Sequence, residues 1–132
     1  MDRFLDLLLL GVIGAFAWGG GAQAAEPASE RWLEVFPAYP KARQLCSEHI
    51  SGTGMHILWE SYAVAATPEE VAAFYLRHFP DATAPKPKQL EVRAPKDKIL
   101  SVYPAAEPSF PRCAKEPGPT EKTVILVSQA IR

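Results

Sequence analysis

The 132-residue chain is 48% apolar and 22% charged, with a formal net charge of -1. That length holds one domain and excludes a propeller or a large enzyme barrel, and the apolar fraction excludes a disordered tail. Near-neutral charge removes the electrostatic case for nucleic-acid binding, which rests on a basic excess.

Residues 1–24 read as a cleavable export signal. Leu7 to Trp18 is an apolar run of 12 residues. A permanent span needs about twenty, so this run is short for an anchor and suits a secretory core segment. Gly19-Gly20-Gly21 and then Ala22-Gln23-Ala24 follow, the small-x-small pattern of a signal-peptidase site, with the cut expected after Ala24. Arg3 is the one basic side chain before the run and is flanked by Asp2 and Asp6. An uncleaved anchor is therefore the competing reading. No cysteine directly follows the run, so a lipid-anchor site is absent. Cleavage leaves one domain, residues 25–132, with 13 basic and 13 acidic side chains. It is expected in the periplasm or outside the cell, with no stable membrane span.

Ser29 to Phe36 reads as two turns of helix capped by Ser29, with Trp32, Leu33 and Phe36 on its apolar side and Pro37 and Pro40 stopping it. Residues 42–50 read as a strand, and Ser51-Gly52-Thr53-Gly54 as a hairpin turn rather than an anion nest. Met55 to Val64 is the richest strand. Its period of two puts Met55, Ile57, Trp59, Ser61 and Ala63 on one face and His56, Leu58, Glu60, Tyr62 and Val64 on the other. Both faces carry large side chains, so neither is plainly solvent.

Thr67-Pro68-Glu69-Glu70 is the strongest local signal, a capping threonine with proline first and glutamate third in the helix. Val71, Phe74, Tyr75, His78 and Phe79 follow as one amphipathic stripe, and Pro80 ends it. Residues 81–88 read as a loop. Gln89–Arg93 and Lys98–Tyr103 alternate as a hairpin around Ala94-Pro95-Lys96-Asp97. Pro104 to Pro119 holds five prolines and excludes a regular element. Thr123 to Ile131 is apolar on both faces at its start, as a central strand is. The fold expected is α+β: two layers, a mostly antiparallel four- to five-stranded sheet, and one main amphipathic helix on one face.

Cys46 and Cys113 are the only cysteines. Export to an oxidising compartment favours their pairing, and closing so long a loop is worth about 4 kcal/mol in the chain-entropy model. The expected disulfide ties the proline-rich stretch to the sheet.

Tyr39-Pro40-Lys41-Ala42, Ser61-Tyr62 and Thr67-Pro68-Glu69-Glu70-Val71-Ala72-Ala73-Phe74-Tyr75 together resemble a pattern in uncharacterised secreted bacterial proteins. There a Tyr-Pro-Gly-Ala segment precedes a strand and a Ser/Thr-Pro-Glu-x-Val-x-x-Phe-Tyr helix. The likeness covers residues 39–76, with Lys41 where glycine is usual. It implies a small extracytoplasmic α+β domain and supplies no activity or site residues.

Chemistry-bearing groups are few. Cys46-x-x-His49 with Cys113, His56 and His78 has the residue types of a zinc site, but a second paired motif is missing and oxidation consumes both thiolates. The same oxidation disarms a nucleophilic cysteine assisted by His49. No nucleophile elbow, metalloprotease helix, phosphate loop or dinucleotide fingerprint occurs. No metal, cofactor or catalytic residue is therefore expected. His78 reads as a flanking residue at the core edge. Lys86, Lys88, Arg93, Lys96 and Lys98 cluster around the hairpin and guard an edge strand, or alternatively touch anionic lipid or an acidic partner.

His56, Leu58, Glu60 and Tyr62, on one strand face, are the best binding constellation. The expected function is a non-enzymatic binding or interaction module of the envelope, with an envelope protein or a small ligand as partner. One helix covers only one sheet face. Leu58, Tyr62 and Val64, or else Met55, Ile57 and Trp59, must then be covered by the N-terminal segment, the proline-rich loop, a ligand or a second subunit in a homodimer. The alternative is a small hydrolase or lyase using His56 and Glu60. It requires a concave pocket holding both groups.

Overall fold

The computed structural model describes residues 30–107 and 115–132. Residues 1–24, read above as an export signal, Ser29 and Cys113 lie outside the described residues.

Among these residues, five strands form one antiparallel sheet in the order β3-β4-β7-β6-β5, with β3 Arg43–Gly52, β4 Met55–Val64, β5 Leu90–Ala94, β6 Lys98–Pro104 and β7 Thr123–Ile131. Helix α1, Pro68–His78, carries the chain from β4 to β5 at the opposite edge. The β7 strand is central, as its apolar start requires: Val124, Ile125 and Val127 are all fully buried.

Helix α1 begins as its capping residues dictate. The Thr67 hydroxyl accepts from the Glu70 amide at 3.2 Å, and the Glu70 carboxylate accepts from the Thr67 amide at 2.9 Å. The Thr67 amide and, at 3.2 Å, the Thr67 hydroxyl both donate to that carboxylate and hold the Glu70 carboxyl below its usual pKa. Pro68, Val71 and Tyr75 are buried, Phe74 and Phe79 half-buried, and His78 exposed. The main core thus lies between the helix and the sheet side of Tyr62, Val64, Leu90, Val92, Leu100, Val102, Ile125 and Val127.

The helical turns expected over 29–36 do not form. Strands β1, Arg31–Trp32, and β2, Phe36–Pro37, make a small antiparallel hairpin instead. Leu33 and Glu34 take φ of 51° and 66°, left-handed values, and the Val35 amide donates to the Trp32 carbonyl at 3.1 Å. Trp32 pairs across the hairpin with Phe36. The i, i+4 spacing that resembles a helix face is here a cross-strand pair around a three-residue turn. This hairpin shares the helix layer and brings Trp32, Phe36 and Ala38 into the core.

A bulge in β3 sets the side-chain directions at the sheet edge. Gln44 faces Tyr62 and Cys46 faces Ser61, so Leu45 is the extra residue. Leu45 is 4% exposed and packs with Ala63 and Val124 on the face away from the helix. Beyond the bulge, Cys46, Glu48 and Ile50 share that far face, while Ser47, His49 and Ser51 share the helix face.

Candidate functional site

The helix face of β4 holds the four residues singled out as binding groups, and the fold treats them differently. Tyr62 is buried beneath Trp32, with ring centres 4.1 Å apart and planes at 15°. Its hydroxyl donates to the Glu60 carboxylate. Burial first, then that bond, raises the Tyr62 pKa and keeps the phenol neutral. Leu58 and Glu60 are half-buried and, with Leu33, Ser47 and His49, line a small cleft of about 180 Å³. His56 is exposed at the turn end of the strand and contacts His49 and Ser51, each at 3.2 Å.

His56 and Glu60 are not brought together. Four residues separate them, about 13 Å along an extended strand, and each has a different partner. The cleft that holds Glu60 does not include His56. The geometry therefore supplies no acid–base pair from these two groups.

The zinc-type spacing is also divided. Cys46 and His49 stand on opposite sheet faces because three residues separate them on one strand. His78 ends the helix, its Nδ1 3.0 Å from the Phe74 carbonyl. Among the described residues, no group of three or more His, Cys, Asp or Glu is placed to hold a metal.

The far face has a different character. At its upper end Leu45, Ala63 and Val124 are buried with Tyr103 and Ala105 packed against them. Toward the β3–β4 turn, Ile50 pairs with Ile57 and Met55 with Gly52, and Trp59 lies two residues further along. Ile50 is 54% and Met55 36% exposed, with Ile57 and Trp59 half-buried. Of the two alternatives left by the sequence, the hairpin and helix cover Tyr62 and Val64, and the Met55, Ile57 and Trp59 side is left the more open.

The sheet edges differ too. On β5, Thr83 exchanges both backbone bonds with Glu91, at 3.0 and 2.7 Å, and Lys86, Lys88, Arg93 and Lys96 are exposed nearby. Lys98 instead donates to the Leu33 carbonyl at 2.9 Å and pins the N-terminal hairpin. No described strand pairs with the outer edge of β3.

A second concavity, about 500 Å³, lies between the helix end and β5. His78–Thr83 and Glu91–Arg93 line it, with Arg93 paired to Glu91 at 2.9 Å. Phe79–Thr83, which make one wall, are a loop without periodicity, so the sequence pattern does not point to it.

No protein-family model, curated protein or solved structure matches the chain.

Proposed function

We propose that this chain is an exported, non-enzymatic interaction module of the cell envelope. Its partner is a protein that lays an extended apolar segment along the outer edge of β3 and over the adjoining far face. One observation carries the reading: Ile50, Met55, Ile57 and Trp59 form an exposed to half-exposed apolar group beside a long edge with no described partner strand. Edge pairing supplies main-chain hydrogen bonds, and side chains on alternate positions supply the specificity. The contrast with β5, bridged and ringed by basic side chains, favours β3 as the receptive edge.

Export rests on the apolar run Leu7–Trp18 and the Ala22-Gln23-Ala24 site. No helix among the described residues is long and apolar enough to cross a membrane. The Cys46–Cys113 crosslink belongs to the same proposal. No described cysteine is free. Arg43, three residues before Cys46, donates to the carbonyl of Glu116, three residues after Cys113, at 3.0 Å. That contact draws the proline-rich stretch toward β3, where a bond to Cys46 would fix it. Intact-mass measurement of the native protein, with thiol alkylation, reports leader cleavage and crosslink together.

The binding reading is tested by capture from oxidised envelope extract with the wild-type domain and two variants. Ile57→Lys should lose the captured protein, and Leu76→Lys, on the exposed side of the helix, should keep it. Equal capture by wild type and Ile57→Lys overturns the proposal.

A further inference from the structure

The β3–β4 turn does more than reverse the chain: it places two imidazoles side by side. His49 and His56 sit diagonally across the ladder, His49 opposite Leu58 and His56 opposite Ser51, both on the helix face. His49 Nε2 lies 3.2 Å from His56 Nδ1, with ring centres 5.2 Å apart. Such a pair shares one proton or binds one cation. Two imidazole nitrogens on a tetrahedral zinc ion, each bonded at 2.0–2.1 Å, stand about 3.3 Å from one another. The nitrogens are therefore already at chelating separation, and the ladder fixes the backbone positions that carry them.

We infer that His49 and His56 form a two-imidazole site for one divalent transition-metal ion of the zinc class. Imidazole donors suit zinc, copper and nickel rather than magnesium or calcium. His49 Nε2 and His56 Nδ1 are the ligating atoms, and as the ion enters, the hydrogen-bond proton between them passes to the outer nitrogen of its own ring, so that both imidazoles bind neutral. Ser51 Oγ, 3.2 Å from His56 Nδ1, is the polar group that gives up its bond. Both rings are exposed, so water or a donor from another molecule completes the coordination sphere. With no third His, Cys, Asp or Glu in reach among the described residues, the ion exchanges freely and the fold does not depend on it. This site stands apart from the β3-edge reading and does not require a partner protein.

Zinc titration of the oxidised domain with 15N-labelled histidine tests it. Saturating shifts are expected at His49 Nε2 and His56 Nδ1 with one ion per chain, while His78 stays unmoved. His49→Ala or His56→Ala should weaken binding about tenfold or more, and Ser51→Ala should bind at least as well as wild type. Wild-type rings that do not respond to millimolar zinc overturn the site. So does undiminished binding by the double variant His49→Ala/His56→Ala with a wild-type amide spectrum.

Discussion

Trp32 lies flat on Tyr62, ring centres 4.1 Å apart, and this contact decides which face of the sheet is finished. The stack closes the helix side where α1 does not reach. It also holds the Tyr62 hydroxyl against Glu60, so two of the polar groups legible on β4 are parts of a packed layer.

Removing the Tyr62 ring opens a cavity under Trp32. Tyr62→Ala should cost about 3–5 kcal/mol, and Tyr62→Phe, which keeps the ring and loses the donor to Glu60, about 1 kcal/mol. Urea unfolding of the two variants separates these contributions. Equal losses would mean that the stack contributes nothing.

Tyr75 donates to the Pro37 carbonyl at 2.7 Å and joins the helix to the N-terminal hairpin. Tyr75→Phe leaves a carbonyl without its donor at a buried position and should cost about 1–2 kcal/mol by the same measurement. Burial is the largest cause raising the pKa of both Tyr75 and Tyr62 above 10.0. The folded chain then holds protons that the unfolded chain releases. Stability should be intact below about pH 10 and fall as pH rises beyond it, and less so in the double phenylalanine variant.

The acid side rests on Glu121. Arg43 donates to it at 2.9 and 2.6 Å and the Gly118 amide at 2.7 Å. These bonds, Arg43 first, pull its pKa from 4.5 to about 2. The stabilisation is complete above pH 4.5 and is lost as pH falls toward 2, because the unfolded chain takes up the proton first. Glu121→Gln should flatten the acid limb of a stability–pH curve. A parallel curve would contradict the assignment.

Lys41 has φ of 64°, in the left-handed region that favours glycine. A side chain in that region costs about 1–2 kcal/mol, partly offset by the chain entropy glycine loses on folding. Lys41→Gly should therefore raise stability by about 0.5–1 kcal/mol, read as a higher urea midpoint.

The β4 bounds, the helix cap and the central place of β7 were legible because each depends on local pattern. Met55–Val64 alternates without interruption, Thr67 to Glu70 carries its own capping chemistry, and β7 is apolar on both faces. Tyr39 and Phe74 meet with ring centres 5.0 Å apart, a packing role for residues conspicuous in the sequence. The N-terminal hairpin was not legible, because Trp32 and Phe36 have a spacing that serves a helix face and a three-residue turn equally. The bulge at Leu45 left no trace in the alternation, yet it decides that Cys46 faces away from the helix and His49 toward it. That β4 carries large side chains on both faces was legible, and which of the two faces stays the more open was not. Which face stays open depends on where Trp32 lands, a long-range fact.

The far face beside β3 is proposed to meet a partner protein. A photo-crosslinking residue at position 50, with position 76 on the helix as control, tests this in living cells. A discrete covalent adduct at position 50 and none at position 76 is the result expected. No adduct at position 50, or the same adduct at both positions, would contradict it.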